Sequence, residues 1–310
     1  MNHSSQFNNQ SVRDLAWVMC SPSLLAQKQT PYAGEKVSDV WCDQVCQKNL
    51  AWLSLLDEEP DSLLQWLDQR ASPLLGIYFE SLLAFWLQHL PDTELLAQNL
   101  VVGQPGLQLG EFDLLFRDLV QRQLFHWEVT VKFYLRYGKA DYQWLGPNPR
   151  DSLQRKLNKV FDRQLHLSEH PRAMQILQRE LGQHQLVPQA FVKGYLFYPY
   201  DSDWLNPTQI PPGVSASHLK GWWCHHAEVP AWLQSSPAEN RWLALSRLQW
   251  LSPVIRENIA ELMDKNELLE CLANYFSEYY KALLLVELKA GDDGWSEVSR
   301  GFVVNDTWPQ

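Results

Sequence analysis

No apolar run in this 310-residue chain reaches the ~18 residues that a membrane-spanning helix requires. The opening stretch, MNHSSQFNNQ, lacks both the basic start and the apolar core of a secretory signal. Cysteine is scarce. The five present are at 20, 42, 46, 224 and 271, an odd and scattered set that does not resemble a disulfide framework. Cys42 and Cys46, four apart, read as core-facing thiols on one helix. These absences predict a protein of the reducing cytoplasm with no membrane partner. Positive charge is also short, with 26 Lys and Arg against 36 Asp and Glu and a net charge of -10, which excludes indiscriminate coating of nucleic acid. There is no phosphate-cradling Gly-rich loop and no nucleophile elbow. Apolar residues are plentiful. At 45 % hydrophobic and 12 % aromatic, with 15 Trp, the composition is that of a folded globular protein.

Residues 11–70 carry a 3.6-type apolar pattern broken by Pro60, which predicts short helices. LLGIYFESLLAFWLQHL (74–90) predicts a strongly apolar helix stopped by Pro91, with Glu80 isolated among apolar neighbours. Three stretches rich in strand formers follow, at 99–103, 109–116 and 123–137. A helix is expected from Asn148-Pro149 to about Leu167, and a further strand at 190–200. This alternation predicts an α/β layered domain with a mixed sheet. The resulting division is a helical N-terminal region (1–73), a core (74–200) and an α+β C-terminal extension (201–310). That extension either forms a separate unit or completes the same sheet.

The chemistry concentrates at GEFDLLFRD (110–118) and FHWEVTVK (125–132). Glu111 and Asp113 sit two apart on one predicted strand, as do Glu128, Thr130 and Lys132 on the next, so each set shares a face. Three carboxylates and an ammonium on one side of a ribbon are costly to bury unless paired or bound to a hard cation. Between Arg117 and Arg172 there are 11 Lys or Arg against 6 Asp or Glu, a local excess where a phosphate backbone would need it. Lys156, Lys159 and Arg163 form a basic stripe on the predicted helix. The alternative is an ordinary Glu128–Lys132 ion pair on a solvated sheet, with Glu80 engaged by a neighbouring helix.

The element order, with GEFD on one strand and Glu and Lys on the next, resembles the PD-(D/E)XK phosphodiesterase superfamily, which includes restriction endonucleases. Over nearly its whole length the chain is similar to the bacterial domain-of-unknown-function family 1853, itself placed in that superfamily. The matching strings are GEFDLLFRD (110–118), HWEVTVKFYL (126–135), VKGYLFYPY (192–200), GWW (221–223) and SRGFVV (299–304). The resemblance implies a restriction-endonuclease-like core with helices flanking a mixed sheet, and Mg²⁺- or Mn²⁺-dependent hydrolysis of DNA. Asp113, Glu128 and Lys132 match the catalytic triplet, and Glu80, Asp113, Glu128 and Glu111 the metal-ligand set. Lys156, Lys159 and Arg163 would hold the nucleic acid.

One departure stands out. The superfamily spaces its acid and lysine at i and i+2, whereas Glu128 and Lys132 stand at i and i+4. On a strand this stretches ~7 Å to ~13 Å unless a bulge shortens the gap. Either the acid has migrated along the strand or the site is degenerate, a catalytically inactive module that binds nucleic acid or protein. VELK (286–289) has the i, i+2 spacing but lacks a partner aspartate strand. HLSEH (166–170) spells a zinc-peptidase pattern, but Pro171 biases His170 out of helical geometry. Cys224, His225 and His226 lack a second ligand pair for zinc, and Trp222 and Trp223 read as packing.

Overall fold

A computed structural model describes residues 6–310 except 28–30, 71, 105, 139–141 and 183–184. The N-terminal region contributes α1 (Gln10–Cys20), the short β1 (Glu35–Lys36), α2 (Asp39–Glu58) and α3 (Asp61–Asp68). Caps set the two long helices: Asn9 accepts from Ser11 N and Val12 N, and Ser38 accepts from Trp41 N. The apolar helix α4 (Leu75–His89) follows, then β2 (Thr93–Gln104), β3 (Leu107–Asp118) and β4 (Gln123–Tyr137). Next come β5 (Gln143–Leu145), α5 (Leu153–Lys159), α6 (Pro171–Leu181) and β6 (Val187–Pro199). The C-terminal part adds β7 (Leu219–His225), α7 (Val229–Ser235), β8 (Arg241–Leu245), β9 (Ile255–Arg256), α8 (Lys265–Glu278), β10 (Leu283–Gly291) and β11 (Gly294–Val304).

The eight principal strands run in the order β2-β3-β4-β6-β7-β11-β10-β8 in one mixed sheet. The four central strands, β4, β6, β7 and β11, are mutually parallel, and the flanking pairs are antiparallel. The C-terminal extension continues this sheet, with Tyr198 in register with Trp222 across β6 and β7.

Helices cover both faces. On one, α1 to α4 pack their apolar stripes against β3, β4, β6 and β11, with Trp17 stacked on Tyr195 at 5.9 Å. On the other, Leu153, Leu157 and Phe161 meet Val192 and Leu196, while Ile176 and Leu177 of α6 meet Phe112 and Leu115. The helices α7 and α8 cover β7, β10 and β11.

Buried polar ties hold the chain's two ends together. Asp14 of α1 accepts from Ser252 Oγ (2.6 Å) and Tyr78 Oη (2.9 Å). Arg300 of β11 donates to Glu297, Trp250 O and Ser252 O. Near the middle of β6, Gly194 (φ 141°) lets the backbone approach β4, because a Cβ there would lie 1.8 Å from the Lys132 carbonyl.

Two expectations need correction, and one helix lay outside them. The expected helix to Leu167 divides: α5 ends at Lys159, and Val160–Gln164 widens into a π-turn in which Leu165 N donates to Val160 O. The helix α6 was not anticipated, because its polar composition hides a narrow stripe of Ala173, Ile176 and Leu177. Cys46 is not a thiol. It is bonded to Cys20, tying α2 to α1 with a Cα–Cα separation of 5.7 Å, while Cys42 stays a buried thiol.

Candidate active site

The site forms where the sheet forks. The β3–β4 ladder runs from Asp118↔Gln123 to Leu114↔Trp127 and stops there. Beyond it β3 stays with β2, through Phe112↔Leu100 and Glu111↔Val101, while β4 stays with β6 as far as Leu135↔Phe197. Between Glu128 and Tyr134, no strand among the described residues pairs with the β3-side edge of β4.

Asp113 occupies the crotch of the fork. Side-chain alternation breaks at this residue: Phe112 joins the α6 cluster, whereas Leu114 and Phe116 join the opposite core. On β2, Asn99 adopts φ 54° between the pairs Gln98↔Leu114 and Leu100↔Phe112, a left-handed conformation that Asn tolerates. The Asp113 carboxylate therefore turns toward β4, and its Oδ2 accepts the Val129 backbone N–H at 2.8 Å.

Glu128, the next residue along β4 from the last rung, is 1 % exposed. Its Oε1 accepts from Gln164 Nε2 on the π-turn and lies 3.8 Å from Lys156 Nζ. The Glu128 and Asp113 carboxyls act directly on each other, a burden that a shared proton or a cation relieves. Burial, and then the charge of Asp113, push Glu128 up to about 9. Burial also raises Asp113, against the Val129 N–H and the charge of Lys156. Glu80 of α4 is pushed up to about 7 by burial and then by Asp113, while a hydrogen bond from Asn99 opposes the shift. Glu111 is half-buried, and its charge acts on both Glu80 and Asp113. Burial lowers Lys156, and the two carboxylates oppose that.

The lysines exchange the places that sequence spacing gave them. The β4–β6 pairing runs without a register shift from Phe125↔Val187 to Leu135↔Phe197, so no bulge brings Lys132 toward Glu128. Lys132 Nζ instead pairs with Asp151 Oδ2 at 2.7 Å, just before α5. Lys156 was expected on an outward stripe, but its side chain is only 16 % exposed and reaches the acids. Lys159 and Arg163 do remain exposed. Among the described residues, no group of three or more His, Cys, Asp and Glu is placed to hold a metal ion. The donors present suit a hydrated Mg²⁺, which takes one or two carboxylates and keeps its waters. Glu128 Oε2 fits that role, being buried with no donor among the described residues.

The rival motifs are engaged elsewhere. Glu287 of VELK accepts from Asn240 Nδ2 (2.8 Å) and Ser299 Oγ (2.9 Å). His170 caps α6 by accepting from Arg172 N, and His166 pairs with Glu169. Trp222 packs on Trp232 with ring centroids 4.1 Å apart. A cleft of about 310 Å³ lined by Trp41, Phe116, Phe125 and Trp127 lies near the start of β4 and contains none of the candidate acids.

Sequence reasoning missed Asn99, His126, Asp151 and Gln164. His126 was within reach of the alternation argument, since it lies two residues before Glu128 on the same face. For Gln164 no sequence signal existed, because the π-turn that aims it is irregular.

The family model described as domain of unknown function DUF1853 matches residues 13–304, and the chain belongs to that family. No curated protein and no solved structure matches it.

Proposed function

We propose that this chain is a metal-dependent phosphodiesterase with a PD-(D/E)XK-like core, acting on DNA. The observation that carries the reading is the Asp113–Glu128 carboxyl pair at the fork, with Lys156 Nζ 3.8 Å from Glu128. Two carboxyls pressed together in a buried place repel once ionised, and a divalent cation removes that repulsion. Mg²⁺ or Mn²⁺ held there would polarise a phosphate oxygen and lower the pKa of a bound water.

The protein's own part follows from the geometry. To hold the cation, Asp113 and Glu128 would give up their shared proton to solvent, while Glu80 and Glu111 add negative potential. Lys156, on a helix instead of a strand, takes the role expected of Lys132: it orients the attacking water and meets charge gathering on the phosphate. Lys132 anchors the start of α5 through Asp151. Lys159 and Arg163 hold the flanking backbone by charge, without reading bases. A cytoplasmic workplace belongs to this reading. Among the described residues no helix is long and apolar enough to cross a membrane, although the Cys20–Cys46 bond is more at home in an oxidising compartment.

One observation favours a second reading, a catalytically silent module that binds nucleic acid or protein. Both lysines near the fork already have carboxylate partners, Lys156 with Glu128 and Lys132 with Asp151. Calorimetry with Mg²⁺ and Mn²⁺, beside a plasmid-nicking assay, separates the two. Ion binding and nicking that both disappear in Asp113→Asn support the hydrolase. A wild-type chain that binds neither ion and leaves DNA intact supports the module.

A further inference from the structure

Buried polar atoms nearly always find partners, so a cluster of them without any calls for an explanation. Such a cluster surrounds Glu128. Both ring nitrogens of His126, Glu128 Oε2 and Gln164 Oε1 are buried with no hydrogen-bond partner among the described residues. His126 is 0 % exposed and meets the Phe112 ring edge-on, with centroids 4.8 Å apart. Its neighbours in the sheet and α6 are apolar, which leaves Glu128 as the polar group it faces.

The distance is informative. His126 Nε2 stands 4.0 Å from Glu128 Oε2. A hydrogen bond would need 2.7–3.2 Å. Ligands ~2.1 Å from one cation stand ~3.0–3.4 Å apart at octahedral or tetrahedral angles, so the pair would close by roughly 0.6–1 Å on binding one. The other carboxylate oxygen, Oε1, is already claimed by Gln164 Nε2 and Lys156. Oε2 is therefore the oxygen with no N–H donor, and it is the one turned to the imidazole.

We infer that His126 Nε2, Glu128 Oε2 and the Gln164 amide oxygen form an inner position for a divalent first-row transition cation, with water completing its shell. The inference rests on the metal-dependent reading above and deepens it by naming the cation class. An imidazole donor suits Mn²⁺ and its heavier neighbours, whereas Mg²⁺ seeks oxygen. Two of the three protein donors are of the His, Cys, Asp or Glu type, in keeping with the absence of any larger such group.

Pulsed electron paramagnetic resonance on the full chain loaded with one equivalent of Mn²⁺ tests this. A directly bound imidazole produces ¹⁴N modulation, which converts to the ¹⁵N pattern when the protein is grown on ¹⁵N-histidine. That measurement needs no substitution. His126→Asn should abolish the modulation and weaken Mn²⁺ about tenfold while changing Mg²⁺ binding less than about twofold. The near-isosteric Glu128→Gln should lose the nitrogen-coupled ion even if His126→Asn fails to fold. Bound Mn²⁺ without nitrogen coupling overturns this inference and leaves the carboxylate centre standing. No binding of Mn²⁺ or Mg²⁺ by the wild-type chain overturns both.

Discussion

Asp113 Oδ2 accepts the Val129 amide at 2.8 Å, supplying to β4 the acceptor that the next rung of β3 would have offered. A side chain thus ends the ladder without leaving a buried N–H unpaired, and the same carboxyl is delivered to Glu128. The fork and the acidic pair are one structural event.

Asp113→Asn keeps an oxygen for Val129 and removes the charge. The fold should persist, with Tm within about 4 °C of wild type by calorimetry. Divalent-ion affinity should fall at least about tenfold and DNA cleavage at least about a hundredfold.

The two lysines should separate cleanly in a nicking assay. Lys156→Met preserves the buried stem and removes the ammonium beside Glu128, so the rate should drop about a hundredfold. Lys132→Met releases only Asp151, and the rate should stay within about fivefold of wild type. Equal losses would return Lys132 to the catalytic role.

Without a cation, the acids make the fold sensitive to alkali. Glu80 and Glu128 are raised to about 7 and about 9, so the native state holds protons that the unfolded chain has released. Their contribution is complete below about pH 4.5 and is lost as pH rises through 7 and then 9. Tm should therefore decline between pH 6 and 9.5. Glu128→Gln should flatten the upper part of that decline, by roughly 2–5 °C at pH 9.5 in a thermal-shift scan.

Arg300 is buried against Glu297 and three backbone carbonyls. Arg300→Met leaves buried Glu297 without its cation, and urea unfolding should show a loss of about 3–5 kcal/mol. A loss below 1 kcal/mol would mean that this tie between β11 and residues 250–252 is not stabilising.

Lys159 and Arg163 are exposed. Replacing both with Ala should weaken DNA binding alike for unrelated sequences. It should also flatten the salt dependence by about two units of log–log slope, as read by anisotropy titration.

The amino-acid pattern alone determined the elements around the site. Period-two alternation placed GEFDLLF and FHWEVTVK on adjoining strands, an apolar run marked α4, and the acids were recognisable because charge is scarce in such surroundings. Spacing along one strand could not say which lysine meets Glu128, because Lys156 reaches it from a helix across the layer. The Asn99 kink, the break in alternation at Asp113 and the π-turn that aims Gln164 were likewise decided in three dimensions. Each is a local irregularity imposed by neighbours distant in the chain, and none has a period to read. The Cys20–Cys46 bond has the same origin, since packing of α1 on α2, not cysteine count, brings those sulfurs together.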